Sequence, residues 1–293
     1  MKPQWFVRDI RSTEDGKNVR HLLESLGLNT VCREANCPNR NYCFNEGTAT
    51  FLILGKNCTR GCRFCNISKG APDPLDPDEP RKLAEAAFGM DLKHVVITSV
   101  TRDDLPDGGA GHFAQTIKWI RKLLPLASVE LLIPDFQGSE PALSTVLNSK
   151  PDVLNHNVET VEELYPFVRP EADYERSLNV LKASSDRGFI TKSGIMLGLG
   201  ENIEQIEETF EDLADSGIGI LTLGQYLAPS KKHYPVKRYI PPDEFASLAV
   251  LARKYGIKEV VSGPLVRSSY KAGETYEKIK KDKLKLLEKQ GGD

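Results

Sequence analysis

Short apolar runs rich in β-branched residues recur along the middle of this chain, separated by longer amphipathic stretches. Six runs have the length expected for buried strands and cover residues 50–55, 94–100, 129–135, 152–159, 192–200 and 219–227. Four intervening stretches have helical periodicity or composition, at residues 80–90, 111–124, 173–188 and 202–217. This alternation predicts an α/β fold with a parallel sheet and right-handed crossovers.

The number of predicted strands bears on the choice between two α/β architectures. Six strands are too few to close an eight-stranded barrel. We therefore predict an open, partial (β/α)6 barrel whose mouth is capped by N- and C-terminal extensions. A doubly wound sheet remains the alternative that the same pattern allows. Functional residues are expected at the C-terminal ends of the strands.

The segments that flank the predicted barrel, residues 51–227, differ from it in character. Residues 1–50 form a polar N-terminal extension whose pattern predicts irregular structure. Residues 228–293 form a C-terminal extension that begins with a basic, proline-spaced stretch and continues with a predicted helix at 242–255 and a short strand at 258–263. The lysine-rich end has the charge pattern of a frayed, solvated helix.

Composition and charge argue against several classes of protein. The 293 residues include 39 Lys and Arg against 41 Asp and Glu, a net charge of −2, which argues against a mainly electrostatic nucleic-acid binder. No apolar run approaches the roughly 20 residues needed to cross a bilayer, and the N-terminus lacks the apolar core of a secretory signal. We therefore expect a cytoplasmic monomer that binds neither nucleic acid nor membrane.

The cysteines carry the strongest chemical signal in the sequence. All six lie in one short segment and form two triplets, the first with the spacing C-x4-C-x5-C and the second with C-x3-C-x2-C. Their members are Cys32, Cys37 and Cys43, followed by Cys58, Cys62 and Cys65. A disulfide framework fits a reducing compartment and a chain of this length poorly. Metal or cluster ligation is therefore the better interpretation.

Zinc and iron–sulfur clusters are both open for a single triplet. Each triplet is one ligand short of a tetrahedral zinc site or of a four-iron cluster. Zinc would need a further ligand such as a distant histidine, and the chain has only five histidines. Two triplets in tandem therefore favour clusters, although the ligand run of bacterial ferredoxins, C-x2-C-x2-C-x3-C-P, is absent.

The second triplet lies in CTRGCRFC, with an aromatic residue before its last cysteine, and resembles the cluster motif of the radical S-adenosylmethionine (SAM) superfamily. The spacing suits that chemistry, because three thiolates hold three corners of a [4Fe–4S] cluster and leave the fourth iron open. In the superfamily SAM binds the open iron, and one electron from the cluster gives a 5′-deoxyadenosyl radical. The resemblance implies that Cys58, Cys62 and Cys65 hold this catalytic cluster.

Both triplets together narrow the resemblance to the lipoyl synthase family. It rests on VCREANCPNRNYCFNEGTATFLILGKNCTRGCRFCNISKG and continues through VVITSVTRDDLPDGGAGHFAQTI, PDVLNHNVETV, TKSGIMLGLGE and SGPLVRSSYKAGE, over roughly residues 30 to 275. It implies an auxiliary [4Fe–4S] cluster held by Cys32, Cys37 and Cys43 and completed by Ser269, the second serine of RSSY. From the sequence alone, Ser269 would be interpreted as a turn hydroxyl.

The resemblance further implies a reaction and its partners. Two sulfur atoms are inserted at carbons 6 and 8 of an octanoyl chain on a lysine of a lipoyl carrier domain. The carrier is an acyltransferase subunit of a 2-oxoacid dehydrogenase or the glycine-cleavage H protein. SAM supplies the radical, the auxiliary cluster supplies the sulfur, and a donor such as ferredoxin or flavodoxin supplies the electron.

Several other residues have both a functional and an ordinary interpretation. Phe64 resembles the superfamily aromatic near the adenine of SAM, and simple packing is the alternative. Asn155 is a candidate ribose contact or a turn residue at a strand end. Met196 is a candidate position at which the strand backbone approaches the adenine of SAM. A basic stretch either meets an acidic carrier domain or forms a solvated loop, and it consists of Lys231, Lys232, Lys237 and Arg238. His156 is interpreted as a hydrogen-bonded histidine at a strand end rather than as a ligand.

Two other functions compete with this interpretation. One is another sulfur-inserting radical SAM reaction. An enzyme that methylthiolates RNA would need an additional RNA-binding domain, and an enzyme of biotin-type ring closure would lack the C-x4-C-x5-C triplet. A zinc-stapled binding module without catalysis would contain zinc and would not cleave SAM.

Overall fold

The structure is a computed structural model that describes residues 3–6 and 11–290, with backbone alone from residue 283 to 290. Positions 1–2 and 7–10 of the predicted N-terminal extension and positions 291–293 of the predicted C-terminal extension lie outside the described residues.

One large sheet forms the centre of the fold, and a two-stranded sheet lies beside it. In chain order the strands are β1 (Asn29–Thr30), β2 (Thr50–Ile53), β3 (Asn57–Cys58), β4 (Ser68–Lys69), β5 (His94–Ser99), β6 (Ser128–Leu132), β7 (Val153–Asn155), β8 (Ile190–Leu197), β9 (Ile220–Gln225) and β10 (Glu259–Gly263). The large sheet has the order β1-β2-β5-β6-β7-β8-β9-β10, and the small one pairs β3 with β4.

The strand order identifies the architecture. From β2 to β10 every strand of the large sheet pairs in parallel with the next one along the chain, and only β1 is antiparallel. A doubly wound sheet would reverse its order at a switch point. The sheet instead winds in one direction and stays open, as predicted for a partial barrel. β10 extends this sheet beyond β9 from within the predicted C-terminal extension.

Helices alternate with the strands along most of the chain. They are α1 (Glu14–Ser25), α2 (Val31–Glu34), α3 (Arg40–Asn45), α4 (Glu79–Gly89), α5 (Ala110–Leu123), α6 (Glu140–Asn148), α7 (Tyr165–Val168), α8 (Tyr174–Asp186), α9 (Ile203–Asp215), α10 (Pro242–Lys254) and α11 (Ala272–Gln290). The four predicted crossover helices correspond to α4, α5, α8 and α9. The predicted helix at 242–255 corresponds to α10, whereas α6 was not predicted.

The prediction of irregular structure for residues 1–50 is wrong. This segment contains α1, α2 and α3, and it adds the antiparallel edge strand β1 to the sheet. The Thr13 and Thr30 side chains cap α1 and α2 by accepting backbone N–H bonds from Gly16 and Arg33. α2 and α3 are too short to show a helical period in the sequence, so only their caps could have signalled them.

The two faces of the strands are chemically different. Outward residues such as Phe51, Ile97 and Leu131 are fully buried under the helices and belong to the main apolar core. The inward face is more polar. There Lys192 on β8 lies beside Asn155 on β7 and reaches across to Glu130 on β6.

A buried ion pair crosses the barrel interior. The Lys192 Nζ atom lies 2.9 Å and 3.2 Å from the two carboxylate oxygens of Glu130, and both side chains are 1% exposed. Burial acts to raise the pKa of Glu130, but Lys192 and His94, whose Nε2 atom lies 3.5 Å from the carboxylate, together outweigh burial and lower the pKa to about 2. The stabilisation from the ionised carboxylate is therefore complete above its ordinary pKa and is lost as the pH falls toward 2.

The substitution Glu130→Gln is expected to lower the free energy of unfolding by about 3–5 kcal/mol, because it leaves the Lys192 ammonium buried without a counter-charge. Urea unfolding followed by circular dichroism measures this loss. Lys278→Gln is the matched control, because it breaks the ion pair between the exposed Lys278 side chain and Glu259. It should lower the free energy of unfolding by no more than about 1 kcal/mol. A Glu130→Leu, Lys192→Met double variant should recover most of the loss; equal instability of that variant would contradict the electrostatic explanation.

Candidate active site

The second cysteine triplet lies beside the C-terminal ends of the parallel strands. Cys58 ends β3, shortly after β2, and its Sγ atom accepts backbone N–H bonds from Arg60 (3.4 Å) and Thr101 (3.3 Å). Cys62 and Cys65 follow in the next loop, where the Cys65 N–H donates to the Cys62 carbonyl at 3.0 Å. Bonds of the N–H···S type stabilise thiolate charge, and they are a common feature around cluster ligands.

The environment of this triplet disfavours free thiolates. Burial raises the pKa of Cys65 to about 12, and it also raises the pKa of Cys62. Cys58 adds to both shifts and Cys62 adds to that of Cys65, so the three sulfur atoms lie close enough to influence one another. A positively charged metal centre bound by the three sulfurs would offset this cost.

Arg60 fastens the cysteine loop to two strand ends. Its side chain is 6% exposed and forms two bonds to Asp103 (2.7 and 2.9 Å), which follows β5. It forms two more to Asp135 (3.0 and 2.7 Å), which follows β6. Paired carboxylates hold a guanidinium in a fixed plane. The backbone between Cys58 and Cys62 is therefore held rigidly against the barrel.

The first triplet lies on the N-terminal helices, next to β2. Cys32 belongs to α2, Cys43 belongs to α3, and Cys37 lies in the turn between them. Burial raises the pKa of Cys32 to about 11 and that of Cys43 to about 12. Cys37 adds to both shifts, and Cys32 adds to that of Cys43, so these thiols form a second group.

Ser269 lies next to this second group. The Thr50 hydroxyl donates to the Ser269 Oγ atom at 2.8 Å, and Thr50 lies close enough to the Cys32 thiol to oppose part of the rise in the pKa of Cys32. The buried Asn39 side chain, between Cys37 and Cys43, donates to the Leu265 carbonyl at 2.6 Å. The structure thus brings the RSSY segment to the first triplet across more than 200 positions of sequence.

Further contacts join the cysteine segments to each other and to the C-terminal extension. The Asn66 amide, next to Cys65, donates to the carbonyl of Glu34 at 2.7 Å. The loop after β9 covers the second triplet, because the Tyr234 N–H donates to the Arg63 carbonyl at 2.8 Å. Both triplets therefore belong to one continuous structural region.

Both triplets are sets of three thiols. Within the described part of the chain, no three His, Cys, Asp or Glu side chains converge closely enough to hold one metal ion. Thiolates at the corners of a four-iron cluster are spread more widely than thiolates around one zinc ion, whose Zn–S bonds are about 2.3 Å. Each triplet offers three thiols, which leaves one corner of a four-iron cluster without a cysteine ligand.

A group of unpartnered polar atoms follows β7. Within the described residues, five buried atoms in this region have no hydrogen-bond partner: Asn155 Oδ1, His156 Nε2, Asn157 Oδ1, Thr160 Oγ1 and Arg169 Nε. Buried polar atoms in folded proteins are nearly always paired, so this concentration indicates a place for a polar ligand.

Arg169 and Asn157 belong to this group and Glu159 borders it, and sequence reasoning missed all three. Glu159 has a φ of +69°, a strained value for a non-glycine residue. Burial raises the pKa of Glu159, and the Arg169 charge opposes that rise. Arg169 itself donates to the carbonyls of Asn157 and Val158. The one available signal was the density of polar residues at the end of a predicted strand.

The three candidate SAM contacts lie in different surroundings. Phe64 and Met196 pack against the same small apolar cluster, which includes Leu199 and Tyr226. Asn155 is fully buried, and its amide donates to the Glu130 carboxylate at 3.0 Å. This bond fixes the orientation of the amide and leaves Asn155 Oδ1 as the free acceptor.

The basic stretch and His156 have the following surroundings. Lys231, Lys232, Lys237 and Arg238 are exposed, and Arg238 forms two bonds to Glu244. Burial lowers the pKa of His156 to about 4, which keeps its ring neutral near pH 7. Its Nδ1 atom lies 2.8 Å from the Ile133 carbonyl, to which it donates as the protonated nitrogen.

Comparisons with known proteins agree with the motif analysis. The family model described as the radical SAM superfamily matches residues 52–213, more than half of the chain. The chain is 51% identical over 277 residues to a Leptospira interrogans protein named lipoyl synthase, covering 93% of this chain and 92% of the relative. It is 55% identical over 273 residues to a protein of the same name from Caldanaerobacter subterraneus, covering 92% of this chain and 95% of the relative.

A comparison with solved structures supports the fold. The crystal structure of HydG, a maturase of the [FeFe]-hydrogenase, matches with a TM-score of 0.55 at 13% identity, over 94% of this chain and 79% of that one. At this identity the likeness concerns the fold alone.

None of the helices in the described residues has the combination of length and hydrophobicity that a transmembrane span requires.

Proposed function

The chain belongs to the lipoyl synthase family of the radical SAM superfamily, and from that premise we propose which of its residues carry the reaction. The family activity is insertion of two sulfur atoms at carbons 6 and 8 of an octanoyl chain on a carrier lysine, which makes the chain a radical SAM sulfurtransferase. This activity depends on SAM and a [4Fe–4S] cluster. The individual ligands, the second cluster and the named partners are our proposals.

We assign the SAM-cleaving cluster to Cys58, Cys62 and Cys65. When bound, this cluster supplies the electron that generates the 5′-deoxyadenosyl radical. The chain's own contribution is to hold the three thiolates in place through the Arg60 clamp and to stabilise the Cys58 sulfur with two backbone N–H groups. The two carboxylates of Asp103 and Asp135 exceed the single charge of Arg60, so the clamp adds rigidity without a net positive charge.

We assign the auxiliary cluster to Cys32, Cys37, Cys43 and Ser269. The observation that carries this assignment is the position of the Ser269 hydroxyl. It lies 2.8 Å from Thr50 Oγ1, and Thr50 lies beside the Cys32 thiol. When bound, this cluster supplies the sulfur. A serine oxygen is a hard ligand among soft thiolates, so it is expected to be the weakest of the four and the first to release.

SAM contacts are proposed for Phe64, Met196 and Asn155. The apolar cluster around Phe64 and Met196 offers a surface for the adenine ring. The free acceptor of Asn155 and the unpartnered atoms of Asn157 and Arg169 offer hydrogen bonds to the polar groups of SAM. Their burial keeps water away from the reacting atoms, which a radical reaction requires.

The partners follow from the family activity and from surface charge. An octanoylated carrier protein is the substrate of the family. We propose that the carrier is an acyltransferase subunit of a 2-oxoacid dehydrogenase or the glycine-cleavage H protein. Its acidic surface would meet the exposed cations Lys231, Lys232 and Lys237, because complementary charge steers association. We propose a ferredoxin or flavodoxin as the electron donor.

An octanoyl-lysyl peptide is the direct test of the proposed function. Incubated anaerobically with the reconstituted chain, SAM and a reductant, the peptide should gain the mass of two sulfur atoms. Mass spectrometry detects this product. A matched peptide with unacylated lysine serves as the control and should not change. Reductive cleavage of SAM with an unchanged octanoyl peptide would contradict the sulfur-insertion assignment and would leave only a radical SAM enzyme of another substrate class.

A further inference from the structure

The first residue of the RSSY segment, Arg267, is a cation without a described counter-ion. Its Nη1 atom donates to the carbonyl of the preceding residue, Val266, at 2.6 Å. In the part of the chain that the structure describes, no Asp or Glu side chain lies within ion-pair distance of Arg267. Its side chain is also partly buried. A guanidinium withdrawn from water in this way normally has an anionic partner.

The surroundings of Arg267 indicate which group provides the negative charge. Its Nη1 atom lies 3.5 Å from the point that a Cβ atom on Gly224 would occupy, so the guanidinium lies close to the end of β9. Two positions before Arg267, the Leu265 carbonyl accepts a hydrogen bond at 2.6 Å from the buried side chain of Asn39, which lies between Cys37 and Cys43 in the sequence. Ser269 is two positions after Arg267 and contacts Thr50. The cation therefore lies at the group of residues assigned to the auxiliary cluster.

Charge balance gives this position a function. Ligand sulfurs are bound as thiolates and the serine oxygen as an alkoxide, so three thiolates and one alkoxide bring four negative charges to the site. We propose that Arg267 is the counter-cation of the auxiliary cluster and raises its reduction potential, an inference that rests on the proposed function of Cys32, Cys37, Cys43 and Ser269. A nearby positive charge stabilises the reduced, more negative state, and net charge is one determinant of cluster potential.

A redox titration of the auxiliary cluster tests this inference. The full-length chain with Cys58, Cys62 and Cys65 replaced by alanine retains a single cluster site, which removes overlapping signals. In this background Arg267→Gln is expected to lower the ratio of reduced to oxidised cluster at least tenfold at a fixed potential, a downward shift of 59 mV for a one-electron couple. Electron paramagnetic resonance reports the reduced fraction.

Two further variants separate charge from structure. Arg267→Lys keeps the charge and should stay closer to the parent potential than Arg267→Gln. Lys271→Gln removes a cation from the same segment, but its side chain is 43% exposed and pairs with Glu274, so its effect should be much smaller. An unshifted potential in Arg267→Gln, or equal shifts in Arg267→Gln and Lys271→Gln, would overturn the proposal.

Loss of the cluster is also informative. If Arg267→Gln folds normally but holds no iron while Arg267→Lys holds a cluster at the parent potential, the positive charge is required and the proposal stands. If Arg267→Lys loses the iron equally, the residue acts through its shape and the proposal is wrong. A parent chain that holds no auxiliary cluster at all contradicts the proposed function itself, before Arg267 is tested.

Discussion

Replacing Cys58 with alanine is expected to abolish formation of 5′-deoxyadenosine from SAM. Cys58 is the thiolate whose sulfur accepts N–H bonds from Arg60 and Thr101, and its loss leaves two of the three proposed ligands at that site. The rigid loop cannot supply a replacement, because Arg60 is held by four bonds to Asp103 and Asp135. Chromatography of the reaction after anaerobic reconstitution measures the nucleoside directly.

The control for this prediction is the same substitution in the other triplet. Cys43→Ala removes a thiol of the same intermediate burial, so it matches the chemical change without touching the loop of Cys58. It should retain 5′-deoxyadenosine formation and lose sulfur insertion. Persistent nucleoside formation by Cys58→Ala, or its loss in Cys43→Ala alone, would contradict the assignment of the two triplets.

Replacing Ser269 with alanine is expected to leave SAM cleavage in place and to abolish insertion of sulfur into the octanoyl chain. The Ser269 oxygen is the proposed fourth ligand of the auxiliary cluster, and alanine offers no donor atom in its place. The Thr50 hydroxyl would also lose the acceptor that it contacts at 2.8 Å. Deoxyadenosine yield and the mass of the octanoyl-lysyl peptide, measured in one reaction, separate the two effects.

The neighbouring serine is a close control. Ser268 lies in the same segment with similar partial burial, and the structure describes no hydrogen bond of its hydroxyl. Ser268→Ala should therefore retain sulfur insertion. Normal product from Ser269→Ala would remove this residue from the mechanism. Equal loss of product in both variants would indicate that the segment tolerates no change, rather than that Ser269 is a ligand.

Local pattern predicted the central part of the fold. Each of the six predicted strands corresponds to a strand of the large sheet, because parallel strands covered by helices read as short apolar runs. The open barrel followed from their number, and the sequential strand order confirms it. Helices α2 and α3 were missed because four and six residues are too few to show a period.

The candidate site also contains residues that the sequence predicts and residues that it does not. Cysteine spacing identified both triplets, because the proposed ligands of each lie close together in sequence. The Arg60 clamp was not visible, because its partners Asp103 and Asp135 come from two other strand ends. The buried Glu130–Lys192 pair was missed for the same reason, since its members lie 62 positions apart. Ser269 was proposed only through the family resemblance, and its contact with Thr50 now gives that proposal a structural basis.

Iron and acid-labile sulfide per chain, determined after anaerobic reconstitution, test the central claim most directly. Two [4Fe–4S] clusters, one on each cysteine triplet, predict about eight iron and about eight sulfide per chain. Cys58→Ala and Cys43→Ala should each reduce both numbers by about half. About four of each in the parent chain would leave no sulfur donor, and stoichiometric zinc with little iron would contradict the cluster chemistry altogether.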